Sequence, residues 1–195
     1  TSAMAPSPSG IGNDGRHRYL QTVFWGAFVF WACAAIIIIL GSGIRHDYPA
    51  YLGQWNLVLT GADPWSTDNA YGPVHNLLAP LVRIHWLAPK LFMGCALIVS
   101  LALLFARVIS IRGYDHNAWL IFVLAGPGNF LIIGMSFFYG SNDTLAACLV
   151  LFAVFSRADR RYAAAGMLLG VAGALKFFPL LLVPFFMFDG NRIRL

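Results

Sequence analysis

Between Leu20 and Gly41 the chain carries no charged side chain. A helix rises 1.5 Å per residue, so about 20 apolar residues are enough to cross the roughly 30 Å hydrocarbon layer of a bilayer. This run is too long for the apolar core of a signal peptide and has no small-residue cleavage pattern before His46, so it reads as a retained span. The composition agrees: 59% of the 195 residues are hydrophobic and 11% charged, with a mean hydropathy of +0.70. Soluble domains carry about a quarter charged residues, and disordered chains are too polar to bury a core. A membrane protein is what remains.

Further apolar runs cover 91–106, 117–138, 143–156, 162–175 and 177–188, the last three short. The sequence therefore predicts an all-α, multi-pass transmembrane bundle of about six spans. It divides into a flexible cytoplasmic tail over 1–18 and a single membrane domain over 19–195, with an outer loop at about 42–72. The segment 73–87, interrupted by His75, Arg83 and His85, stays ambiguous. Gly126-Pro127-Gly128 should kink the third span. Gly166, Gly170 and Gly173 should let the fifth helix approach a neighbour closely. Cys33, Cys95 and Cys148 have no redox or zinc spacing and read as small buried hydrophobes.

Charge placement sets orientation. All eight acids are Asp, and nine of the thirteen basic residues (Arg16, Arg18, Arg107, Arg112, Arg157, Arg160, Arg161, Arg192 and Arg194) cluster at the ends of apolar runs that share one side. Lys and Arg favour the cytoplasmic side, so both termini are expected there. The same pattern argues against nucleic acid as the partner of the basic residues. Asp47, Asp63, Asp68, Asp143 and Lys176 then gather on the outer side.

The loop after the first span is the richest in chemistry. Tyr51, Trp55, Val58 and Leu59 recur at helical spacing, which predicts an amphipathic helix over 48–60 at the interface, ended by Gly61 and a turn at Asp63-Pro64-Trp65. Asp47 precedes it either as an N-cap or as a general base, for which a carboxylate beside Arg45 and His46, near tyrosines that can stack on a sugar, is suited. Asn142 and Asp143 show the same duality at the start of the fourth span. Lys176 is the only charge between Arg161 and Asp189. A lysine between two apolar runs either snorkels or serves a function, and with nothing acidic nearby in sequence an anionic phosphate is its natural partner. His46, His75, His85 and His116 have no metal-ligand spacing, and neither a phosphate loop nor a nucleophile elbow occurs. No metal or cofactor is expected.

Four stretches carry a resemblance: Asp47-Tyr48 with Tyr51; Gly61-Ala62-Asp63-Pro64-Trp65; Tyr71-Gly72-Pro73; and Gly140-Ser141-Asn142-Asp143 followed by Gly166 to Leu175 running into Lys176-Phe177-Phe178-Pro179. Over roughly residues 20–190 the chain resembles the N-terminal half of the bacterial polyprenyl-phosphate-mannose-dependent mannosyltransferases, which are C-type, membrane-embedded glycosyltransferases. The resemblance implies an inverting transfer of a hexose, in a bacterial inner membrane, from a polyprenyl phosphate to a lipid-linked or glycan acceptor outside the cytoplasm. It makes Asp47 the base and puts Asp143 and Lys176 near the donor. Arg45, His46, Tyr48, Tyr51, His75, Asn142, Asp143 and Lys176 are the expected substrate contacts. Members of that family run to about twice this length. A fragment, a chain completed by a partner, or a non-catalytic subunit of a larger membrane complex derived from the same fold are therefore all open. A small transporter is a third class, for which no internal repeat is visible.

Overall fold

The computed structural model describes residues 11–45, 47–66, 71–189 and 192–193; His46, Asp68 and Arg194 lie outside them. It is a helical membrane bundle. Among the described residues two helices are long and apolar enough to cross a bilayer alone, Gly15–Ser42 and Ala88–Arg112. The first belongs to α1 (Ile11–Ser42), which opens inside the stretch expected to be tail, and the second is α5. After α6 (His116–Ala125), Gly126 and Gly128 break the helix and the chain resumes as a π-helical segment, Ile132–Tyr139. α7 (Asp143–Ala158) and α8 (Tyr162–Leu175) follow. The run expected as a sixth helix is instead a 3-10 turn, Phe178–Leu182, followed by α9, Val183–Met187. Pro179 and Pro184 cannot donate the N–H bonds of a continuous helix. A two-residue antiparallel pairing joins β1 (Phe188–Asp189) to β2 (Arg192–Ile193).

Side-chain contacts show how the passes alternate. At one end, the Lys90 ammonium at the start of α5 reaches Ser42 and Gly43 at the end of α1 and Phe138 in the π-helical segment, and Lys176 after α8 meets Asp143 at the start of α7. At the other end, Arg107 of α5 pairs with Asp159 after α7, His17 of α1 packs on Tyr114, and Arg157 of α7 bonds the Phe186 carbonyl. We call these the acidic end and the arginine end.

The core is aromatic. Phe24 packs on Phe105 and Phe122 at 6.0 and 5.1 Å, and Phe105 on Phe122 at 5.4 Å. In lipid such interdigitation, rather than escape from water, holds helices together. The glycine face of α8 is used differently from expectation. Only Gly173 makes a tight approach, against Leu180, whereas Gly166 and Gly170 have open space above them and line a cavity of about 420 Å³ between α8 and α9. Of the cysteines only Cys148 is buried; Cys33 and Cys95 lie on the bundle surface, correcting the expectation for those two.

One cap is well made. Asp115 Oδ1 accepts the Ala118 N–H at 2.7 Å and closes the start of α6. Asp115→Ala should cost about 1 kcal/mol while Asp115→Asn is nearly neutral. Unequal melting temperatures of the two variants check this, and equal losses would remove the cap.

Candidate functional site

The acidic end is built around α2 (Tyr48–Thr60), which forms over the expected residues. Gly61 closes it with φ 74°, donating its N–H back to Val58 while Ala62 bonds Leu57. Trp65 N–H then bonds Asp63 Oδ1 at 2.9 Å, the expected turn. The apolar face does not lie on lipid, however. Tyr48, Tyr51 and Trp55 are buried against Leu78, Ala79 and Met93. Here 71–87 is no span but two short helices, α3 (Pro73–Asn76) and α4 (Ala79–Val82), folded over α2 and α5.

This burial relocates several expected contacts. Tyr48 donates to the Trp86 carbonyl at 2.8 Å and accepts the Lys90 N–H at 3.2 Å, and Tyr51 accepts the Asn142 N–H at 3.4 Å. Burial raises both phenols above their ordinary range. His75 and Asn142 are fully buried. The Asn142 side-chain amide lies within hydrogen-bonding distance of His75 Nδ1. Trp55 stacks on the His75 ring at 4.6 Å, and Tyr51 and Tyr71 close the other sides at 4.9 and 5.1 Å. Tyr48, Tyr51, His75 and Asn142 therefore form a supporting layer beneath the surface rather than a face on which a sugar could stack.

Burial lowers the His75 pKa from 6.5 to about 4. A proton taken up only by the unfolded chain destabilises the fold, so stability should fall as pH drops from about 6.5 to about 4, by on the order of 3 kcal/mol in total. His75→Phe should flatten that part of the thermal-stability profile, and an unchanged slope would assign the pH dependence to other groups.

Above this layer sit the charged groups. Asp47 is exposed just ahead of α2 and makes no capping bond to the helix, so the N-cap reading does not hold. Asn142, at the head of α7, likewise makes no side-chain cap. Asp143 bonds the Ser141 hydroxyl at 2.9 Å and pairs with Lys176 at 2.5 Å. The expectation that no acid neutralises Lys176 is corrected: Asp143 is distant in sequence, but α7 and α8 run antiparallel and bring the two together. Arg45 is exposed, its Nε bonded to the Ser42 carbonyl and its guanidinium 5.2 Å from the Phe138 ring centre. Tyr71 joins the groups. Burial raises the pKa of its hydroxyl, with the Asp47 and Asp143 carboxylates adding to the rise and the Lys176 ammonium opposing it.

Sequence reading missed Tyr71 as a site residue, and it missed the burial of Lys90. Lys90 is fully buried, and among the described residues its ammonium has no carboxylate partner. Its three N–H groups meet Ser42 Oγ at 2.6 Å and the carbonyls of Gly43 and Phe138 at 3.0 and 2.7 Å. These acceptors lie at two helix C-termini, whose unpaired carbonyls carry partial negative charge. Gly140, at φ +73°, lies over the lysine stem, where a Cβ would come within 2.7 Å of Cγ. A lone lysine just before an apolar run was the signal available.

Fold and site define a membrane-embedded helical protein with an acid and cation cluster at one end. A sequence model described as glycosyltransferase family 87 matches residues 71–195, and the chain belongs to that family. The match takes in Tyr71, His75, Asn142, Asp143 and Lys176, while Asp47 and α2 precede it. Neither the curated proteins nor the solved structures contain a match.

Proposed function

We propose that the chain is a membrane glycosyltransferase, or a module of one, that transfers a hexose from a polyprenyl phosphate to a lipid-linked or glycan acceptor, with Asp47 as general base. The sugar would be mannose, by the resemblance above. The observation that carries the reading is the Asp143–Lys176 pair at the end of the bundle where Tyr51 of α2, the helix that follows Asp47, accepts the Asn142 N–H, in a chain of this glycosyltransferase family. In the reaction Asp47 takes the proton of the acceptor hydroxyl. The hydroxyl oxygen bonds the anomeric carbon as that carbon's bond to phosphate breaks, with inversion, and the prenyl monophosphate leaves. The arginine end faces the cytoplasm by charge bias, which puts the acidic end outside.

Lys176 enters this reading changed. Its charge is shared with Asp143, so it is not an isolated phosphate clamp, and the exposed Arg45 is the cation we assign to the departing phosphate. That same pairing favours a second reading, a non-catalytic subunit of a larger membrane complex. Transfer from a polyprenyl phosphate sugar by native membranes containing the chain, abolished in Asp47→Asn, supports the enzyme. Wild-type membranes without transfer, with their natural partners present, would select the subunit.

A further inference from the structure

Lys90 joins the two segments that carry the acids of the site. Its ammonium meets Ser42 Oγ and the carbonyl of Gly43, which stands four residues before Asp47. Its own backbone N–H donates at 3.2 Å to the hydroxyl of Tyr48, the residue after Asp47. The chain on both sides of Asp47 is thus tied to one residue. The third acceptor of the ammonium, the Phe138 carbonyl, belongs to the π-helical segment. The turn that follows rests on the same side chain: a Cβ built on Gly140 would lie 2.7, 3.0 and 3.2 Å from Cγ, Cδ and Cε of the lysine. Ser141 continues that turn by donating its N–H to the Met135 carbonyl at 2.8 Å, and its hydroxyl holds Asp143 at 2.9 Å.

We propose that Lys90 is a positioning residue of the transfer site: it sets the spacing between the segment carrying Asp47 and the loop carrying Asn142 and Asp143, a role that rests on the transferase reading above. A compact ammonium suits the place. It aims three donors at acceptors from separate segments, whereas an arginine fork is planar and a side-chain amide has only two donors. The carbonyls offer partial negative charge without a carboxylate, so Asp143 stays with Lys176. Being fully buried, Lys90 acts through the groups it holds rather than by touching sugar or phosphate. Spacing matters here because a misplacement of about 1 Å can cost a hundredfold in rate.

The test compares wild type, Lys90→Met, Asp47→Asn and the double variant as full chains in native membranes, with mannosyl farnesyl phosphate as the donor probe. Lys90→Met should lower kcat about tenfold or more with the donor KM little changed, because the lysine does not reach the donor. On the Asp47→Asn background the same substitution should cost little more, since the spacing has no value once the base it serves is gone. A merely structural loss would multiply with that of Asp47→Asn, and such additivity would overturn the role. Ser42→Ala removes one acceptor of the three and repeats the cycle with a milder change, which decides the matter if Lys90→Met does not accumulate folded. Spin labels at Ile44→Cys and Ala147→Cys, both exposed positions, read the spacing itself in a chain whose own cysteines are replaced. Their distance distribution should shift or broaden in Lys90→Met and in Ser42→Ala. An unchanged distribution or additive losses would overturn this role alone and leave the transferase reading standing. Wild-type membranes without transfer would overturn both.

Discussion

Asp47→Asn should give a folded protein whose sugar transfer from a polyprenyl phosphate falls by at least about a hundredfold, the range in which positioned acid–base groups act. The amide keeps the size of the carboxylate but cannot take up the acceptor's proton. Stability is not expected to move, because Asp47 is exposed and makes no capping bond to α2, and Asn is in any case as good an N-cap as Asp. The variant therefore separates chemistry from folding. Transfer near the wild-type rate would remove Asp47 as the base, and a large drop in melting temperature would show it to be structural.

The largest stability loss should come from Gly72→Ala. The new Cβ would lie 1.7 Å from the Ala174 oxygen and 2.8 Å from its carbon. Both atoms are backbone, so no rotamer change relieves the overlap, and either α3 or the end of α8 must retreat. Overpacking of this kind costs about 3 kcal/mol. Tyr71 and His75 ride on one side of the contact and Lys176 on the other, so prenyl-phosphate binding should weaken along with stability. Gly94→Ala is the control: its Cβ would meet Ile39 Cδ1 at 2.3 Å, the end of a flexible side chain that can turn away. Thermal melts of the two variants in nanodiscs decide the matter. A wild-type melting temperature for Gly72→Ala would mean that α3 and α8 do not touch this closely.

Local signals in the sequence read well. The ends of α2, the break at Gly126-Pro127-Gly128 and the bounds of α8 each depend on residues within a turn of the feature itself, and all three stand in the structure. Partners were harder. Helical spacing marked Tyr51 and Trp55 as one face of α2 and pointed it to the membrane interface, whereas α4 and α5 cover it. A glycine stripe on α8 announced close approach, but approach needs a neighbour, and only Gly173 has one. Lys176 looked unneutralised because Asp143 is a full antiparallel helix pair away along the chain. Charge type was legible; counter-charge was not, because it is a property of tertiary pairing.

Lys90 also bears on how the chain assembles. Synthesis runs from the N-terminus, so when α5 enters the bilayer its lysine finds the Ser42 and Gly43 acceptors already made, while the Phe138 carbonyl arrives only at the end of the next pass. Until then the ammonium lacks its third partner at the edge of hydrocarbon, where an unsatisfied charge is costly. The segment from Gly126 to Gly140 is thus drawn to dock on α1 and α5 as soon as it emerges, and biogenesis sets the Asn142 and Asp143 loop in place before α8 delivers Lys176 to it.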